Sequence, residues 1–131
     1  MKVLICGGRT FDDRKPLGRA LAAIHAETPI SLVIVGGAPG ADRLGQAWAE
    51  SQRIPVAVYP ANWNHLGRKA GPLRNQAMLD FGAPNLVVVF PGGPGTQDMK
   101  ARAEAAGIRV AEPCGPPKSP TPNYAQGGAG R

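Results

Sequence analysis

Four short apolar runs rich in β-branched residues recur along the chain: Lys2–Cys6 (KVLIC), Leu32–Val35 (LVIV), Val56–Tyr59 (VAVY) and Leu86–Phe90 (LVVVF). A weaker fifth stands at Ile108–Ala111 (IRVA). They are nearly continuous rather than alternating, which is how strands read when both faces are covered. Between them the spacing becomes helical. Asp13 precedes a pattern running to about Ala26, with Leu17, Leu21 and Ile24 on one face, and Asp42 precedes another with Leu44, Ala47 and Trp48. Gly71-Pro72 opens a third, with Leu73, Ala77, Met78 and Phe81 as its apolar set, since proline in a first turn lacks only an N–H that has no partner there. Thr96 is placed to cap a fourth, ending at Gly107. Five strands alternating with four helices predict an α/β fold, a Rossmann-like three-layer sandwich with a five-stranded, mainly parallel sheet.

A chain of 131 residues suits one domain with a single core. After Glu112 the composition shifts to PCGPPKSPTPNYAQGGAGR, which has too few large apolar residues to offset its ordering entropy. The reading is a domain over residues 1–112 and a Pro/Gly-rich flexible tail over 113–131. The PPKSPTP stretch also suits a short polyproline contact segment. The two cysteines, Cys6 and Cys114, have no metal-like spacing, and Cys6 reads as a small buried hydrophobe. No metal and no cofactor is predicted. The N-terminus has no signal-peptide core and no apolar run approaches membrane-spanning length, so a cytoplasmic protein with no membrane partner is expected.

The net charge is +6, and without Lys118 and Arg131 the domain keeps +4, a balance that suits an anionic ligand or nucleic acid. In a doubly wound sheet, ligands sit beyond the carboxyl ends of the strands. Four connections meet there: GGRTFDD (7–13), GGAPGAD (36–42), PANWNHLGRKAGPLRN (60–75) and PGGPGT (91–96). Glycine turns bring backbone N–H groups close to a ligand, and the helix that follows adds free donors and a positive dipole. Gly36, Gly37 and Gly40 fit this role after the second strand. Pro91, Gly92, Gly93, Gly95 and Thr96 fit it after the fourth, and Gly8 lies in the first loop. Neither motif is a Walker loop or a dinucleotide fingerprint, which removes support from Walker ATP hydrolysis and ordinary NAD(P) redox chemistry.

Arg74 is the most informative single residue. Placed in the first turn of the third helix, a cation opposes the macrodipole unless an anion is bound there, and its planar fork suits phosphate. Arg9 has the same option. Asn75 could orient a ribose hydroxyl or bond the loop. Asp42 reads as a helix cap or a ligand-facing acid, and Asp98 as a partner of the helix dipole or the acid of a hydrolytic site. Arg43 equally pairs with a local acid, Trp63 stacks on a base or covers the sheet edge, and His65 has no metal partner at a suitable spacing.

The ordered set GGRTFDD, VGGAPGAD, ANWNHLGRKAGPLRNQAM and FPGGPGTQDM resembles the YspA/cpYpsA-related branch of the SLOG superfamily. The likeness runs from Lys2 to about Val110, and GPxRNxxM with FPGGxGTxxM is its specific part. The resemblance implies a Rossmann-like domain holding a nucleotide-derived ligand at the loop edge, a nucleoside phosphate or an ADP-ribose-like molecule, as a sensor or processing module. Related branches include the Lonely-guy phosphoribohydrolases and the DNA-processing protein DprA. In the former, PGGxGTxxE ends in a Glu acting at the ribose; here Met99 stands in that place, and a thioether moves no proton. If the chain is an N-glycosidic-bond hydrolase on nucleotides, Asp98 or Asp42 must serve instead. DprA-like nucleic-acid binding is the third alternative, opposed by a chain with only two Trp, two Tyr and three Phe. The resemblance also allows a homodimer.

Overall fold

The computed structural model describes residues 1–115, apart from the side chain of Trp63. The expectations for Trp63 and for the tail beyond Gly115 fall outside that description. The elements are β1 (Lys2–Cys6), α1 (Arg14–Glu27), β2 (Leu32–Val35), α2 (Ala41–Ser51), β3 (Val56–Val58), α3 (Trp63–Leu66), α4 (Ala70–Gly82), β4 (Leu86–Val89), α5 (Pro94–Ala105) and β5 (Arg109–Ala111). A 3₁₀ turn, Gly67–Lys69, joins α3 to α4. The five strands are all parallel, in the order β3-β2-β1-β4-β5.

The strand sequences explain the two-sided burial. Side chains alternate across a sheet. Val3, Ile5, Val33, Val35, Leu86 and Val88 face one layer, with Leu17 and Leu21 of α1 and Ala41 and Ala49 of α2. Leu4, Cys6, Ile34, Val87 and Val89 face the other, with Met78 and Leu79 of α4 and Met99 and Ala103 of α5. Each fully buried aliphatic side chain stabilises the fold by roughly 1.5–3 kcal/mol. Cys6 is buried among these residues, as its apolar context predicts.

Several local expectations need correction. The inward face of α4 is Ala70, Met78, Leu79 and Gly82; Leu73 and Phe81 are 51% and 80% exposed. The buried stripe follows Asn75, Met78, Leu79 and Gly82 at helical spacing, which leaves Leu73 and Phe81 on the solvent side. On α2 the buried set is Ala41, Asp42, Gly45 and Ala49, with Leu44 and Trp48 half-buried and Ala47 exposed. Asp42 and Thr96 cap neither helix. The cap positions belong to Gly40 and Gly93, which leaves Asp42 and Thr96 inside the first turns. Asp13 holds the cap position of α1 but makes no side-chain capping hydrogen bond.

Candidate functional site

Strand order 3-2-1-4-5 makes β1 and β4 neighbours whose following loops diverge, and their carboxyl ends meet the N-termini of α2 and α5. Gly8 ties these loops together. Its N–H donates to the Pro91 carbonyl at 2.8 Å, and its own carbonyl accepts from Phe11 at 3.2 Å and Ala41 at 3.1 Å. Gly40 takes φ +82, and a Cβ there would run into the Gly8 carbonyl, so only glycine closes this knot.

Beyond the knot lies a cleft of about 640 Å³. It gathers candidates from four connections: Gly8 and Arg9, Gly36, Gly37 and Asp42, Arg74 and Asn75, and Gly93, Gly95, Thr96 and Asp98. Cys6, Met78 and Met99 also line it, from the core side. Gly40, Pro91 and Gly92 do not line it. Gly40 packs on Gly8, and Pro91 and Gly92 face an adjoining cleft with Thr10, Phe11 and Asp12. Two glycines stand apart: a Cβ on Gly93 or Gly95 would meet nothing within 4 Å, so these positions are open rather than packed.

Arg74 is the fifth residue of α4, not a first-turn residue, because α4 starts at Ala70. Its guanidinium reaches back across the cleft. Nη1 donates to the Gly36 carbonyl at 2.9 Å and the Tyr59 carbonyl at 3.3 Å, and Nε to Asn75 Oδ1 at 3.2 Å. Burial and the nearby charge of Arg9 lower its pKa, while Asp42 works against them. An Arg so placed stays cationic. Among the described residues the salt bridges are Lys100–Glu112 and Arg102–Asp98, so neither Arg9 nor Arg74 has a carboxylate at that range.

Two carboxylates border the cleft in opposite conditions. Asp42 is buried, and its Oδ2 accepts from the backbone N–H of Gly36 at 3.1 Å and Ala38 at 3.2 Å. Burial raises its pKa despite those hydrogen bonds and the Arg74 charge. Asp98 is half-buried, and its Oδ2 accepts from Arg102 Nε at 2.8 Å and Asn75 Nδ2 at 3.0 Å. Burial pulls upward, but those hydrogen bonds and the Arg102 charge outweigh it and hold Asp98 below the usual carboxylate range. Asn75 also donates to the Gly95 carbonyl at 3.2 Å, so its amide fastens α4 to α5. Arg102 continues the chain to Gln76 Oε1 at 2.9 Å. Arg102 and Gln76 were not among the sequence candidates, although the i, i+4 spacing of Asp98 and Arg102 announces the pair.

Two comparisons bear on these loops. A family model, the YspA, cpYpsA-related SLOG family, matches residues 1–65. The Gene 61 protein of Mycobacterium phage D29 is 38% identical over 117 residues, covering 83% of this chain and 93% of that protein. The chain belongs to the YspA, cpYpsA-related SLOG family. The part matched by the family model holds the Gly8–Arg9 and Gly36–Asp42 walls of the cleft, while Arg74 and the PGGPGT turn lie beyond it. No solved structure matches the chain. Membership in this SLOG family suggests a nucleotide-related role, binding or processing. No described helix is long and apolar enough to cross a membrane.

Proposed function

We propose that this protein binds a nucleotide-derived small molecule, a nucleoside phosphate or an ADP-ribose-like compound, in the 640 Å³ cleft, as a sensor or processing module. One observation carries the reading. Arg9 and Arg74 line the same cleft without a carboxylate at salt-bridge range among the described residues. In the same cleft, Gly95 and Thr96 precede the first intrahelical bond of α5, from Gln97 to Gly93, so their N–H groups have no intrahelical partner. Two cations and a helix N-terminus around one cavity suit a phosphate group. Gly93 and Gly95, with open space where a side chain would be, let the ligand approach the backbone.

The test is a thermal-shift screen of nucleotides followed by calorimetry. A ligand that binds only the folded protein raises the melting temperature by mass action. Arg74→Ala is expected to weaken a hit by about 1–3 kcal/mol, the range for a hydrogen bond to a charged group. An unchanged dissociation constant would remove Arg74 from the site.

A second reading, hydrolysis of an N-glycosidic bond, is favoured by the contrast between the two carboxylates. Paired acids whose surroundings drive their pKa values apart are suited to acid and base roles. Asp42 is the candidate proton donor; Asp98, held ionised, suits the role of base or charge stabiliser. Base release from a bound nucleotide, lost in Asp42→Asn with binding retained, would support it.

A further inference from the structure

The backbone of Gly36 is held from two sides. Its N–H donates to Asp42 Oδ2 at 3.1 Å, and its carbonyl accepts from Arg74 Nη1 at 2.9 Å. Asp42 Oδ2 and Arg74 Cζ would lie 3.1 Å and 2.7 Å from a Cβ on Gly36. The carboxylate and the guanidinium are therefore neighbours, yet the salt bridges among the described residues join neither. At that spacing an ionised Asp42 offsets part of the Arg74 charge without holding the side chain.

Among the described residues lining the cleft, the charged groups are Arg9 of the β1–α1 loop, Asp42 of α2, Arg74 of α4 and Asp98 of α5. The Cys6 thiol, at the end of β1, is buried, which pushes its pKa up and keeps it neutral. Asp98 is already paired with Arg102. Asp42 is the remaining carboxylate, and it is 6% exposed. Its hydrogen bonds from Gly36 and Ala38 both end on Oδ2, so Oδ1 is the oxygen available to a proton. An anion beside Arg74 would meet this buried carboxylate, where like charges repel more strongly than in water. Protonation of Asp42 removes the repulsion and leaves the full Arg74 charge to the anion.

From this arrangement we infer that the cleft takes up its anionic ligand together with one proton, which settles on Asp42. Binding of the anion thereby depends on pH. The inference rests on the nucleotide reading of the preceding subsection and adds a regulation to that site. A bound anion raises the Asp42 pKa above its value in the free protein. The gain in affinity is fully present below the free-protein pKa and is lost as pH rises through the bound one, by at most about tenfold per pH unit for one proton.

Calorimetry on the full chain from pH 5.5 to 8 uses ADP-ribose and the methyl ester of AMP, whose phosphates keep a constant charge over that range. Each titration is run in two buffers of different ionisation enthalpy, so the difference in heat counts the protons taken up. The parent protein is expected to take up as much as one proton per ligand and to bind at least about tenfold more weakly at pH 8 than at pH 5.5. Asp42→Asn, neutral at every pH, is expected to take up none and to keep its affinity within about twofold across the range. No uptake and a flat affinity in the parent would overturn the inference and leave the nucleotide reading standing. So would an uptake that survives Asp42→Asn, because the proton would then settle elsewhere. NMR of the Asp42 carboxyl carbon in the parent protein decides the matter without the variant. Its titration should move to higher pH with ligand, and an unmoved titration would overturn the inference. Absence of binding by both probes at every pH would overturn the nucleotide reading and this inference with it.

Discussion

The guanidinium of Arg74 occupies the space that a Cβ on Gly36 would need: its Cζ would lie 2.7 Å from that atom, and its Nη1 closer still. The same guanidinium donates to the Gly36 carbonyl at 2.9 Å. The glycine after β2 and the arginine of α4 thus form one unit, although 38 residues separate them.

Gly36→Ala is expected to push Arg74 out of its seat. Overpacking of this kind destabilises by about 1–3 kcal/mol. Denaturant unfolding would measure that loss, and calorimetry would show ligand affinity falling as it does in Arg74→Ala. Because both changes remove the same arrangement, the double variant should lose little further affinity. Additive losses in binding would show that Gly36 acts by another route.

The cleft carboxylates give opposite responses to pH. Asp98 has a depressed pKa in the folded state, so it contributes stability above its unfolded pKa, lost as pH falls through the folded one. Asp98→Asn should therefore lower the melting temperature at pH 7, with the difference closing in acid. Asp42 has a raised pKa, so its contribution is most favourable below about pH 3.9, the unfolded value, and is lost as pH rises through the folded one. Asp42→Asn should match or exceed the parent melting temperature at pH 7 and lose that advantage in acid. Melting curves from pH 3 to 7 check both signs.

Met99 is 1% exposed and packs with Leu4, Cys6 and Ala103. Met99→Glu, which restores the carboxylate implied by the phosphoribohydrolase resemblance, should destabilise by about 3–5 kcal/mol, the range for an uncompensated buried charge. It should release no base from nucleoside monophosphates, because position 99 meets the cleft only from its core side, where the side chain is 1% exposed. Urea unfolding and chromatographic product analysis are the measurements.

Phe81 is a large apolar residue on α4, yet 80% exposed. Phe81→Ser should change stability by no more than about 0.5 kcal/mol, as for an ordinary surface position. Met78→Ser on the same helix, at 2% exposure, should be severely destabilising. Comparable losses at both positions would contradict the orientation of α4.

The sheet was legible because its strands are uniformly apolar and its crossovers carry helical spacing. The five runs predict the observed strands to within a residue or two at each end. The walls of the cleft were legible for a topological reason, since all four candidate loops follow strands of one parallel sheet. Within the loops, legibility depended on reach. A helix cap is a local relation, yet Asp42 and Thr96 were misread because Gly40 and Gly93 already terminate the preceding loops. The position of Arg74 on its helix was misread because α4 starts at Ala70, and its contacts with Gly36 and Tyr59 were not legible because those residues are far away in sequence. Proximity along the chain likewise joined Pro91 and Gly92 to their glycine-rich turn, whereas the fold assigns them to the neighbouring cleft.

The place of β1 in the sheet has a consequence for synthesis. This first strand pairs with β2 on one side and β4 on the other, and the Lys2 N–H is bound by Asn85 Oδ1 at 2.7 Å. If β1, β2 and β3 pair as they leave the ribosome, the second edge of β1 stays bare until β4 is made. A bare parallel edge recruits the wrong strand, so the nascent half-sheet is the stage most exposed to aggregation. Arg74 and the α5 N-terminus are both made after that half-sheet. Any ligand that needs both Arg74 and the α5 N-terminus therefore meets a sheet whose first three strands are already made, and it stabilises the assembled fold rather than the half-sheet.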